Sequence, residues 1–308
     1  MERLLAGNSL TGLRIGFLRK GLPSEQVPFG RIVATGAETF ALITPFKPPA
    51  REARELSPAL RADLSARAQK LRLDALITME ESGDALRLID PHGRIVPGDI
   101  LGQICAQFLD VEGVVAPGRV NSGLQQLGFK EVHLTEAAEL DIWSLFSLQR
   151  TACAYDPEGV FYLSMEAPHP IEREILRDDL LPILAMLNEA KRMGGVGARL
   201  LVEPQRFTAT IDLSHVVPRF KADLDAALEQ SLAALEAIMA EKIISAKITG
   251  MFRVQFASGM LLHLISKKGK LHAVVDTASS EVAEARLSQL IDAAPRLYGT
   301  VEMRPDRP

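Results

Sequence analysis

Oxygen-bearing side chains stand at alternate positions in Glu80-Glu81-Ser82-Gly83-Asp84, directly after the apolar run Asp74 to Thr78 (DALIT). A loop just past the C-terminal end of a strand is where α/β proteins often hold a divalent cation, so Glu80, Ser82 and Asp84 are candidate metal ligands. Mg²⁺ takes one or two carboxylates beside phosphate and water, so Glu80 and Asp84 would suffice for a weak site. The same residues also read as a solvated acidic turn feeding a hairpin. A second cluster, Ser266-Lys267-Lys268-Gly269-Lys270, gathers three ammonium groups with a hydroxyl and a flexible glycine. Such a turn can hold phosphate through point charges at Ser266, Lys267, Lys268 and Lys270, or it can simply guard a sheet edge against aggregation.

Other chemistries are poorly supplied. The six histidines are scattered, with no HExxH, and the glycines at 16–21 lack the Lys-Ser/Thr of a phosphate-binding P-loop. Gly194, Gly195 and Gly197 follow a helix and not a strand, which excludes the usual nucleotide fingerprint. The two cysteines, Cys105 and Cys153, have no CxxC spacing and read as packed thiols.

These loops need elements to carry them. Leu13 to Leu18 and Phe40 to Ile43 read as strands, with room for a crossover helix between them. Ser57 and Pro58 then open a helix whose Leu60, Leu64, Ala68 and Leu71 share one face. Asp74 to Thr78 is a strand leading to a hairpin that turns at Asp90-Pro91-His92-Gly93. A helix from about Asp99 to Phe108 precedes a strand at Val111 to Val115 that begins a second unit, which continues through the strand-like KEVHL. Asp178 to Met193 reads as a helix ending in Gly194-Gly195, and Ala222 to Ile243 carries a long periodic apolar run. Three strands and a helix from Ser279 to about Ala293 follow. The pattern predicts an α/β protein, two α/β domains over 1–110 and 111–215 and a smaller α+β domain over 216–308.

With 308 residues the chain is long for a single core, and 47% hydrophobic with 24% charged residues is ordinary globular composition. A net charge of −4 gives no general pull toward nucleic acid or an anionic membrane. No segment has the roughly 18 apolar residues that suggest a membrane span, and the N-terminus has no signal-peptide pattern, so a cytoplasmic location is expected.

The segments GLRIGFL, RLDALITMEESGDALRLIDPHGRIVPGDILGQICAQFL, VVAP, DDLLPILAMLNEA, PQRFTAT and FRVQFASGMLLHL, taken in order, resemble bacterial phosphomannomutases of the phosphohexomutase superfamily. The match is strongest from Leu73 to Leu109, where the strand, acidic loop, Asp-x-x-Gly-Arg turn and Gly-Asp-x-Leu-Gly helix start agree in spacing. The resemblance implies a scaffold that moves phosphoryl groups between a phosphoserine and a bound hexose phosphate with Mg²⁺. It places the start of this chain where the family's phosphoserine domain ends, so no catalytic residue is expected here. The family's Asp-x-Asp-x-Asp-Arg metal loop falls on Glu80, Ser82, Asp84 and Ala85. Ser82 there removes a ligand charge and Ala85 a guanidinium. The family's sugar loop falls on Ala154 to Val160, with Asp156 and Glu158 at its acidic and amide positions. Its C-terminal phosphate loop falls on Ser266 to Lys270, without the arginine and asparagine.

These departures predict a noncatalytic phosphohexomutase homologue that binds a hexose phosphate or acts as a regulatory or assembly subunit, with weak Mg²⁺ binding through Glu80 and Asp84. The alternative is a Mg²⁺-dependent phosphomannomutase or phosphoglucomutase completed by a separate phosphoserine domain. A third reading has a protein partner, or a second copy, docking on the face that the missing domain would leave.

Overall fold

The computed structural model describes residues 8–19, 26–43, 55–79, 86–135, 140, 142–147, 151–166, 173–204, 206–213, 224–248, 252–267 and 270–298. It is a mixed α/β protein with three sheets. The chain divides into two compact units, one formed by 1–116, 127–133 and 140–204, the other by 117–126, 134–139 and 205–308.

The first unit begins with a four-stranded sheet in the order β2-β1-β3-β4, built from β1 (Arg14–Arg19), β2 (Glu38–Ile43), β3 (Ala75–Met79) and β4 (Leu86–Ile89). β1 runs parallel to β2 and β3, while β4 returns antiparallel to β3. Helix α1 (Gln26–Ala34) connects the two parallel strands β1 and β2, as the spacing predicts. Helix α2 (Pro58–Leu71) starts where its cap residues place it: the Ser57 hydroxyl accepts the Leu60 amide, proline occupies the first turn, and Leu60, Leu64 and Ala68 are buried. The turn after β4 is closed by Asp90, whose carboxylate accepts the amides of His92 and Arg94 and pairs with the Arg94 guanidinium at 2.7 Å. Gly93, at φ +74°, supplies the left-handed residue that this turn needs.

Helix α3 (Gly98–Phe108) is buried from Gly98 to Ala106. It lies against the second sheet, ordered β6-β5-β7-β8-β9, which comprises β5 (Gly113–Pro117), β6 (Glu131–Thr135), β7 (Ala152–Tyr155), β8 (Phe161–Glu166) and β9 (Arg173–Arg177). Helix α4 (Leu181–Met193) packs on α3 and ends at Gly194 in the left-handed conformation, followed by the short α5 (Val196–Leu200). The carboxylate of Asp178 caps α4 by accepting the Leu180 and Leu181 amides and forms a two-pronged pair with Arg31 of α1, at 2.9 and 2.6 Å. Cys105 and Cys153 are fully buried in this unit, and burial pushes both thiols upward in pKa, as packed, unreactive groups should be.

The second unit contains the third sheet, ordered β10-β14-β13-β12-β11 and antiparallel throughout: β10 (Phe207–Asp212), β11 (Ile243–Ile248), β12 (Phe252–Phe256), β13 (Leu261–Lys267) and β14 (Lys270–Thr277). Alternate residues Phe252, Val254 and Phe256 with Leu262, Leu264, Ala273 and Val275 make one core face, closed by α6 (Leu224–Met239) and α7 (Ser280–Tyr298) through Leu235, Met239, Leu287 and Leu290. Two details depart from the sequence reading. The periodic run read as helix to Ile243 stops at Met239, and Ile243 opens β11 instead. In addition β10 joins this sheet from ahead of residue 216. Among the described residues no helix is long and apolar enough to cross a membrane.

Candidate functional site

The acidic loop leaves the C-terminal end of β3, but Glu80, Ser82, Asp84 and Ala85 lie outside the described residues. Among the described residues no group of three His, Cys, Asp or Glu is placed to hold a metal ion. At Leu86, where β4 begins, the first unit brings a second predicted loop alongside. The β7–β8 hairpin turns through Asp156 to Val160, with the Gly159 amide donating to the Asp156 carbonyl at 3.1 Å and the Asp156 amide to the Val160 carbonyl at 3.2 Å. A Cβ on Gly159 would stand 3.7 Å from the Leu86 carbonyl oxygen. The predicted sugar loop therefore lies beside Leu86, the first residue of β4.

Asp156 itself is 9% exposed, and one carboxylate oxygen accepts the Val160 amide at 2.9 Å. The turn thus consumes part of the acceptor capacity that the sequence reading assigned to a sugar. Glu158 is half-buried on the same turn.

Two glycines explain how the turn sits so low. At Gly98, in the first turn of α3, a Cβ would collide with the backbone of Gly159 and stand 2.7 Å from the Pro157 carbonyl oxygen. At Gly102, one turn later, it would enter the ring of Tyr155, which is fully buried. These are the two glycines of the Gly-Asp-x-Leu-Gly segment. Their spacing of four puts both on the helix face that meets β7 and its turn.

In the second unit, Lys267 pairs in register with Lys270, closing a tight hairpin; Lys268 lies outside the described residues, as do the side chains of Ser266, Lys267 and Lys270. On the sheet face opposite the helices lies a set of residues that the sequence reading missed. His263, wholly buried, stands opposite Arg253 across the β12–β13 pair, and neither ring nitrogen has a hydrogen-bond partner. Burial pushes its pKa from 6.5 down to about 3, and the guanidinium groups of Arg253 and Arg119 push in the same direction. Arg253 is half-buried, and burial lowers its pKa against the pull of Asp276. Asp276, at 1% exposure, is already committed: its carboxylate accepts the Ser122 amide at 2.8 Å and hydroxyl at 3.1 Å, and pairs with Arg206 at 2.7 Å. A single histidine in an alternating strand gives no sequence signal of this kind, because the arginines that surround it come from separate segments.

The sign of the His263 effect is definite. The folded unit holds the imidazole neutral, whereas the unfolded chain takes up a proton near pH 6.5, so this contribution to stability is complete above that pH and is lost as pH falls toward 3. Urea unfolding at a series of pH values should show stability declining through this window, and His263→Phe should flatten the decline. An identical slope in the variant would exclude His263 as its source.

No family model matches the chain. A phosphomannomutase of Sinorhizobium fredii is 29% identical over 133 residues, covering 42% of this chain and 28% of that protein. The chain spans less than half the length of the curated relatives it matches. Among solved structures, a phosphoglucomutase/phosphomannomutase family protein from Burkholderia thailandensis superimposes with a TM-score of 0.66 at 14% identity, covering 96% of this chain and 63% of that one. An N-acetylphosphoglucosamine mutase from Aspergillus fumigatus, solved with GlcNAc-6P and magnesium, gives a TM-score of 0.57 at 12% identity over 95% of this chain and 69% of that one. Over the matched stretches the chain is similar in sequence to phosphomannomutases, and it shares the fold of these mutases.

Proposed function

We propose that the chain binds a hexose phosphate and does not interconvert it unaided. The observation that carries the binding reading is the half-buried Arg253 on the sheet face opposite the helices, across the β12–β13 pair from His263 and on the same face as Asp276, which is spent on Arg206 and Ser122. A phosphate dianion would pair with the Arg253 guanidinium. The Lys-rich turn at the end of the same hairpin adds positive charge. The Aspergillus fumigatus relative in fold was solved with a hexosamine phosphate and magnesium, which supports the same ligand class here.

The noncatalytic half of the proposal rests on side-chain chemistry. Ser82 and Ala85 stand where the resemblance implies a carboxylate and a guanidinium. Glu80 and Asp84 would hold Mg²⁺ with one negative charge fewer, and Asp156 uses one oxygen to close its own turn.

Calorimetric titration with mannose 1-phosphate and glucose 1-phosphate, with and without Mg²⁺, tests binding, and a coupled mutase assay on the same sample tests turnover. Binding without turnover is expected. Arg253→Ala should weaken binding by about tenfold or more, the loss of one charge-assisted contact, and Lys267→Ala with Lys268→Ala should weaken it further. Affinity unchanged in both variants would remove the second unit from the site, and turnover by the chain alone would overturn the noncatalytic reading.

A further inference from the structure

The first unit contains a cavity of about 570 Å³ whose lining includes none of the described residues of the predicted loops. It opens between α3 and α4, with Arg199 of α5 in its wall, and its size falls within the range of small-molecule pockets, roughly 300 to 1,000 Å³. Arg199 has only 6% of its side chain exposed. Such a guanidinium is an expensive group to bury, and here it is held on two sides: one amino group pairs with Glu203 and the other donates to the Gln107 amide oxygen at 2.9 Å. Its Nε has no hydrogen-bond partner, since the nearest oxygen of Glu189 stands 3.7 Å away.

The charges of this cavity cancel locally. Arg192 pairs with Glu189 at 2.7 Å, and Arg199 pairs with Glu203, whose carboxyl is pushed upward in pKa by burial against the pull of Arg199. An ionic ligand would therefore gain at one partner what it lost at the other. What remains is a supply of hydrogen-bonding groups without net charge: the Arg199 Nε donor, the Gln107 amide nitrogen, and the half-buried Asn188 amide, which offers both donor and acceptor. Phe108, which is half-buried, supplies an apolar wall on the α3 side, and Ile104 in the same lining is fully buried. Planar amide and guanidinium edges suit adjacent hydroxyl groups, each of which donates and accepts, and an apolar wall suits the C–H face of a sugar ring.

We infer that this cavity is a binding site for an uncharged hexose or related polyol, separate from the loops read as the sugar-phosphate site. The ring lies against Phe108, and its hydroxyls bridge Asn188, Gln107 and the Arg199 Nε. The site does not depend on the hexose-phosphate proposal, because its residues belong to the first unit and carry no net charge for a phosphate.

The test uses the full chain with D-glucose and D-mannose as probes, read by saturation-transfer NMR and calorimetry, with inorganic phosphate and acetate as ionic comparisons. Saturable hexose binding is expected, with no competition from either anion. Asn188→Leu keeps the side chain's branched shape without its amide, and its fold is checked by thermal unfolding; it should weaken hexose binding by about tenfold or more while leaving mannose 1-phosphate binding at Arg253 unchanged. Arg253→Ala should do the reverse, so that failure of either site is seen separately. Absence of hexose binding in the folded wild type, hexose binding unaffected by Asn188→Leu, or displacement of hexose by phosphate would each overturn the inference.

Discussion

Gly102→Ala should lower the unfolding free energy by about 1 to 3 kcal/mol, the usual cost of forcing a methyl group into a filled core. The expected size follows from what the methyl would meet. Tyr155 is fully buried and its ring occupies the space beside Gly102, while α3 is buried along most of its length, so neither partner has an open side to move toward. Gly98→Ala should be comparable in stability but different in consequence. There the obstruction is backbone at Gly159 and Pro157, which cannot rotate away as a side chain can, so the 156–160 turn itself must lift. Urea unfolding should therefore show both variants destabilised, and amide exchange at 156–160 should rise more in Gly98→Ala than in Gly102→Ala. Full stability in either variant would show that α3 and β7 are less closely packed than the structure has them.

The second large effect is expected at Asp276. Its carboxylate is the point at which the 117–126 segment and Arg206 are tied to β14, through the Ser122 amide and hydroxyl and the Arg206 guanidinium. Arg206 also donates to the carbonyls of Gly259 and Asp276, so it is fixed in place and only 12% of its side chain is exposed. Asp276→Ala would leave that guanidinium without its counter-charge, a change that costs about 3 to 5 kcal/mol in buried pairs. Faster exchange should appear at the amides of Ser122 to Gln126, local to the second unit. Replacing both partners, Arg206→Met with Asp276→Leu, should recover part of the loss, because an apolar pair removes the unpaired charge as well as the bond. Equal damage from the single and double variants would mean that the Ser122 contacts, and not the ion pair, hold the segment.

Much of the architecture was readable from local rules. Ser57 and Pro58 start a helix because a hydroxyl and a fixed φ satisfy the needs of its first turn wherever the helix sits in the protein. Asp90 and Gly93 make a turn, and Gly194 ends α4, for equally local reasons. The alternation Phe252, Val254, Phe256 marks a half-buried strand without reference to its neighbours. Where the apolar run past Met239 could serve either as helix or as strand, periodicity misjudged the boundary, and pairing of β11 with β12 decided it.

The candidate sites divide in the same way. The sequence determined which loops carry acidic and basic groups, and its order and spacing of segments pointed to the phosphohexomutase scaffold. Only the tertiary structure decided that Gly98 and Gly102 are glycines because a hairpin 53 to 61 residues onward presses on them. It alone set His263 opposite Arg253 across the β12–β13 pair, and joined Arg199 to Gln107 across 92 residues of chain. Burial, desolvation and charge pairing depend on which segments meet in space, and a residue's type and its near neighbours in sequence do not contain that information.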